Sequence, residues 1–180
     1  MPEELKRLQE SARRFVDEEL MPLEQCYVDA HDAPDDVRAR LQARARELGF
    51  WAFDLPEEYG GGGISTLDKC IVHEELARCT FPAFRAPSMF SPFLGPVLFH
   101  CNAPQKEKYL LPVIRGEKRT CFALTEASGG SDATAMSTRA VKEGDDWIIN
   151  GNKIFITGAD KADFTRPSAR HWLRVRRSSG

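Results

Sequence analysis

The stretch from Cys121 to Ala159 constrains the fold of this chain more than any other. A short apolar run, Cys121-Phe122-Ala123-Leu124, leads through Thr125-Glu126 into a loop of small residues, Ala127-Ser128-Gly129-Gly130-Ser131-Asp132. Three strand-like segments follow, each closed by a turn signal. Residues 137–142 run to Glu143-Gly144-Asp145, Trp147-Ile148-Ile149 to Asn150-Gly151, and Lys153-Ile154-Phe155-Ile156-Thr157 to Gly158. Asn-Gly between β-rich runs is a strong hairpin signal, because both residues tolerate the positive φ of a type I′ turn. The pattern predicts an antiparallel meander with a glycine-serine loop at its entrance. Such a loop can bind an anion, since glycine lets the backbone approach and free N–H groups with the Ser131 hydroxyl can meet one phosphate. Taken alone, it is more often an ordinary turn.

The first half of the chain reads as helical. Leu5, Leu8, Ala12, Phe15, Val16 and Leu20 recur at spacings of three and four over residues 3–20, and Pro22 is expected to stop that helix. A second helix starts near Pro34 and carries Val37, Leu41, Ala45 and Leu48 to Gly49. Its arginine-rich face between Ala39 and Glu47 reads as solvated. The glycines 60–63 follow no long strand and precede no Gly-Lys-Ser/Thr, so they predict a sharp turn and not a phosphate loop. Ser65 and Asp68 form a capping pair for a third helix, 66–79, with Leu67, Cys70, Ile71, Leu76 and Ala77 inward. Glu74 and Glu75 are expected to face solvent, and His73 has no second metal ligand at a helix-turn spacing. Residues 87–101 are apolar almost all round, which predicts a buried helix that either packs in the core or walls a substrate cavity. A short helix from Pro104 closes at Ile114-Arg115-Gly116-Glu117.

Charge and composition exclude several classes. A net charge of −2 among 180 residues argues against a nucleic-acid binder. No apolar run approaches the roughly 20 residues that span a bilayer. The acidic start, Pro2-Glu3-Glu4, is unlike a targeting segment. Five cysteines without a C-x-x-C pair read as reduced thiols, neither zinc ligands nor a disulfide framework; with the acidic start they predict a cytoplasmic protein.

Two motifs carry a resemblance. Ala123-Leu124-Thr125-Glu126-x-x-Gly129-Gly130-Ser131-Asp132, followed by Trp147-Ile148-Ile149-Asn150-Gly151-x-Lys153-x-Phe155-Ile156-Thr157, resembles the flavin-binding middle segment of acyl-CoA dehydrogenases. Leu55-Pro56-Glu57-Glu58-Tyr59-Gly60-Gly61 is similar to the first inter-helix connection of that family, and the resemblance covers residues 3 to about 164. It implies an α+β fold: an N-terminal helical domain, 1–118, then the first part of an antiparallel β-barrel domain, 119–164. It also implies FAD as cofactor, an acyl-CoA substrate, and electron-transfer flavoprotein or a similar acceptor for the full-length enzyme. That enzyme would form the 2,3-enoyl-CoA: a carboxylate takes the α-proton while the β-hydride passes to the flavin. Phe122, Leu124 and Thr125 match the strand beside the flavin ring. Gly130 and Ser131 match the pyrophosphate loop, with Ser131 also near the acyl-CoA, and Phe155, Ile156 and Thr157 match the second strand.

The sequence departs from the family in three places. Phe155 stands where Trp is usual, which keeps an aromatic wall but removes the indole N–H. Ala127-Ser128 replaces a frequent Pro-Gly. Residues 165–180, with five arginines and Pro167, do not continue the expected strand, and are expected to be disordered or an artefact of truncation. The resemblance implies a base that is a glutamate of a C-terminal helical domain, through which members oligomerise; neither is expected within these residues, and Glu126 is expected to be structural. A non-catalytic acyl-CoA- or flavin-binding fragment, an interaction fragment and a related flavoenzyme on the same scaffold all stay open. A partial barrel should also leave strand edges and apolar faces exposed.

Overall fold

The computed structural model describes residues 1–24, 26–27, 33–80, 91–92 and 94–172. The chain divides into two compact units, Met1–Pro92 with Leu110–Gly116, and Phe93–Tyr109 with Glu117–Gly180.

In the helical unit, α1 (Glu3–Phe15) continues through a π-type turn, Val16–Leu20, into Met21–Glu24. Its stripe of Ala12, Phe15, Val16 and Leu20 is buried, as the spacing predicts. Pro22 does not end the helix where expected. A proline in a helix lacks an N–H and crowds the carbonyl four residues back. The wider π turn before Pro22 accommodates both defects. The same order recurs where the π-type turn Lys106–Leu110, which follows Ala103–Gln105, precedes Pro112 in the helical piece Leu111–Ile114.

The second helix, α2 (Asp35–Glu47), buries Leu41 and Ala45, and Phe50 just beyond it meets Phe15 edge-on with ring centroids 6.4 Å apart. Its arginines are not simply solvated. Arg40 pairs with Glu19 at 2.7 Å and Arg44 with Glu47 at 2.9 Å. The Arg46 guanidinium lies 4.0 Å over the Trp51 ring and donates to the Arg115 carbonyl. Trp51 Nε1 in turn donates to the Ile114 carbonyl at 2.8 Å. The glycine run folds back on residues 52–55: a Cβ on Gly61 would stand 2.5 Å from the Leu55 carbonyl carbon, so glycine is required for that approach.

The third helix, α3 (Thr66–Leu76), has the expected capping box between Ser65 and Asp68. Its inner face differs from the expectation. Ile71, Val72, Glu75 and Leu76 are buried, while Leu67, Cys70 and Ala77 are exposed. Glu75, expected in solvent, is 1% exposed and accepts from Arg13 Nε at 3.0 Å, Arg13 Nη2 at 2.7 Å, Gln9 at 2.9 Å and Arg78 at 3.2 Å. Burial of this carboxylate is sustained by cations of α1 and of its own C-terminal turn. His73 is partly buried against Phe53, and that burial holds its imidazole below the ordinary value. Of the expected buried helix 87–101, residues 87–90 and 93 lie outside the described residues. Pro96–His100 forms a 3₁₀ turn instead, with Leu98 buried and Val97 exposed, because Gly95 and Pro96 interrupt α-helical bonding.

The β unit holds β1 (Thr120–Ala123), β2 (Arg139–Glu143), β3 (Asp146–Asn150), β4 (Phe164–Pro167) and β5 (Arg170–Trp172). They make two small sheets, β1-β4 and β3-β2-β5, and barrel closure is not observed among the described residues. Among the described residues only β2 and β3 pair antiparallel, through the expected turn at Gly144-Asp145. β1 with β4 and β2 with β5 are parallel, so the expected antiparallel meander is limited to one hairpin. Residues 153–157 form no strand, because the Ile154 N–H is taken by the Thr125 carbonyl at 3.0 Å and not by β3. Phe155 there has φ +53° and is 89% exposed.

The tail also departs from expectation. Residues 164–172 supply β4 and β5, Ser168 N–H donates to Ala123 O at 2.9 Å, and Arg170 N–H to Thr138 O at 2.8 Å. Pro167 is tolerated because β4 is an edge strand of a two-stranded sheet. Arg166 is buried, with Nε on the Thr120 hydroxyl at 3.1 Å and its guanidinium 5.7 Å from the Phe122 ring. Residues 173–180 lie outside the described residues. As expected of a partial β domain, apolar side chains are open to solvent on β3: Trp147, Ile148 and Ile149.

Candidate cofactor site

β1 ends at Ala123, and the chain leaves the sheet through Leu124, Thr125 and Glu126. Together with Gly129, Gly130, Asp132, Ala133 and Met136 these residues line an open cleft of about 130 Å³. That is smaller than the roughly 300–1,000 Å³ of a pocket enclosing a whole small ligand. It suits one part of a ligand, such as a ring edge or a phosphate. Its walls are apolar at Leu124, Ala133 and Met136 and polar at Thr125, Glu126 and Asp132. A Cβ on Gly130 would meet nothing within 4 Å, so that position faces open space.

Glu126 forms the floor. It is 4% exposed, and its two oxygens accept from Ser137 N–H at 2.5 Å, Thr138 N–H at 2.9 Å, both hydroxyls of those residues, and Lys153 Nζ at 2.8 Å. Lys153 also donates to the Leu124 carbonyl at 2.9 Å. The hydrogen bond from Lys153, then those from Ser137 and Thr138, hold the Glu126 carboxyl far below the usual range. Such a group is a poor proton acceptor. Asp132 is likewise held low by Thr134, whose N–H and hydroxyl donate to Oδ1 at 2.9 and 2.6 Å. Gly151 lies against Thr138, one of the residues that hold Glu126. A Cβ there would come within 2.6 Å of Thr138 Cα, so the Asn150-Gly151 pair serves a close backbone approach and not the expected type I′ turn.

Leu124, Thr125 and Gly130 therefore share the cleft, and Ser131 lies exposed in the same loop. Phe122 is half-exposed on β1 under the Arg166 guanidinium. Ile156 is partly buried and Thr157 exposed, and these two with Phe155 are not among the cleft-lining residues. Sequence reasoning assigns no role to Lys153, Ser137 and Thr138, the residues that hold Glu126. The signal available for Lys153 was its fixed place after Asn150-Gly151 in the second motif.

A helical unit followed by a small β unit that carries this cleft is an α+β arrangement. Residues 2–117 match the acyl-CoA dehydrogenase N-terminal domain and residues 121–178 the middle domain, and the chain belongs to the acyl-CoA dehydrogenase family. It is 38% identical over 162 residues to a 3-(aryl)acrylate reductase of Clostridium sporogenes, covering 89% of this chain and 42% of that protein. It is 36% identical over 166 residues to the mitochondrial short-chain specific acyl-CoA dehydrogenase of Rattus norvegicus, covering 92% and 39%. Among solved structures it resembles an acyl-CoA dehydrogenase described as putative from Mycobacterium abscessus, with TM-score 0.78 and 28% identity over 98% of this chain and 48% of that one. The chain thus spans about two fifths of the length of these curated relatives. The expected cytoplasmic location is overturned by these matches, since the rat, mouse and human relatives are all mitochondrial enzymes. Reduced cysteines and an acidic start do not separate the two compartments.

Proposed function

We propose that this chain supplies part of the FAD and acyl-CoA site of an acyl-CoA dehydrogenase, an oxidoreductase acting on the saturated Cα–Cβ bond of a thioester. The observation that carries the reading is the cleft at the end of β1, built from the residues of the flavin motif. Thr125 would hold the polar rim of the ring, with Leu124 and Phe122 beside its face. Gly130 and Ser131 would meet the pyrophosphate, and the Ser131 hydroxyl would also reach the acyl-CoA. Phe155, Ile156 and Thr157 would close the ring's other side. Bound FAD supplies the two-electron acceptor, and an electron-transfer flavoprotein or similar carrier would reoxidise it. Removal of the α-proton needs a carboxylate poised near its operating pH, with the thioester carbonyl polarised. Neither Glu126 nor Asp132 meets that requirement, since Glu126 accepts donors on both oxygens, Asp132 accepts from Thr134, and both are held low. We place the base in a further domain, which would also carry oligomer contacts.

The test is titration of the purified chain with FAD, followed by quenching of flavin fluorescence. Saturable quenching that competes with ADP supports the reading, and a folded chain that leaves the fluorescence unchanged overturns it. Gly130→Ala gives a sharper result. Because the added methyl meets no protein atom, thermal stability should stay within about 0.5 kcal/mol. FAD affinity should fall roughly tenfold, as for one lost close contact.

A further inference from the structure

We infer that Lys153 is a positioning residue for the cleft, acting through Glu126 to hold the loop of residues 127–138 in the shape that receives the ligand. The inference rests on the reading of the cleft as a flavin site. Its geometric basis is separate from the cofactor motif. The Lys153 side chain is 11% exposed and that of Glu126 3% exposed, so the ion pair is screened from water. Nζ touches two groups at once, the Glu126 carboxylate and the Leu124 carbonyl, one on each side of Thr125. Glu126 spends its remaining capacity on Ser137 and Thr138, where the loop re-enters β2. The Gly129 N–H donates to the Glu126 carbonyl at 3.0 Å, fixing the loop's first turn. Lys153 thereby ties both ends of the loop to the segment after β3, while its own ammonium stays under the cleft.

Removing the ammonium leaves a buried carboxylate with only neutral donors, and the loop ends are free to part. Lys153→Met keeps the stem and removes the charge, whereas Lys153→Arg keeps the charge and two donors. The experiment compares the three chains by FAD fluorescence titration and by amide hydrogen exchange. The expected result for Lys153→Met is FAD affinity lowered about tenfold. Exchange should quicken at Gly129, Ser137 and Thr138, with α1 and α3 unchanged. Lys153→Arg should recover most of both. Wild-type-like affinity and protection in Lys153→Met would overturn the inference, as would a loss of protection spread evenly through the helical unit. If the wild-type chain takes up no FAD, the flavin reading fails. The exchange pattern at 129–138 then still decides whether Lys153 orders the loop.

Discussion

Glu75→Lys is expected to lower the melting temperature of the helical unit by more than any other single change at its surface or caps. The wild-type carboxylate is almost wholly buried between α1 and α3 and accepts from Arg13, Gln9 and Arg78. A lysine there would set a third cation against two arginines at a position that is itself buried. Breaking a buried pair costs about 3–5 kcal/mol. Reversal of the charge should cost about 4 kcal/mol even though Arg13 and Arg78 are partly exposed, against a total stability of roughly 5–15 kcal/mol for a domain. Glu75→Gln keeps the shape and some of the hydrogen bonds and should lose less. The same residue makes a pH prediction. The hydrogen bond from Arg13, opposed by burial and aided by Gln9, holds the Glu75 carboxyl below its ordinary 4.5. A depressed folded-state value means the unfolded chain takes up the proton first. The contribution of Glu75 is therefore complete above pH 4.5 and is lost as pH falls through the folded value. Denaturant melts between pH 7 and 3 should show wild type losing more stability than Glu75→Gln over that fall. Parallel curves would refute the assignment.

Gly151→Ala is expected to loosen the β unit and to displace the loop beside the cleft. The added Cβ would lie within 2.6 Å of Thr138 Cα, a backbone atom that cannot swing aside. Overpacking of this kind costs about 1–3 kcal/mol, and the rigid partner places the value near the top of that range. Thr138 would have to lift from Glu126, taking the end of the loop with it. The measurable result is a lower melting temperature together with faster amide exchange at Ser137 and Thr138. Gly130→Ala, in open space, is the natural contrast. Equal stability of the two variants would show that the close approach at Gly151 is not a constraint.

The parts of this protein legible in the sequence are those set by neighbours in the chain. Phe15, Val16 and Leu20 repeat at helical spacing, Ser65 caps against Asp68 three residues on, and Gly144 turns a hairpin between adjacent strands. Leu124, Thr125 and Gly130 share a cleft because they lie within seven residues of one another. Phe155, Ile156 and Thr157 read as a strand from a β-rich run between turn signals and from the match to the family's second strand, but a strand also needs a backbone partner. Here Ile154 bonds to Thr125 instead. Arg166 looked like solvated tail because composition does not say that Thr120 and Phe122 of β1 stand beside it.

The residues by themselves therefore determined the helical stripes, the caps, the hairpin turn and the order of the flavin-type motifs, all of which rest on local backbone preference and short-range periodicity. Only the tertiary structure decided which charges go inside. Glu75 meets Arg13 across 62 residues and Glu126 meets Lys153 across 27. A carboxylate is buried only where distant donors converge on it, because without them its desolvation cost is not offset.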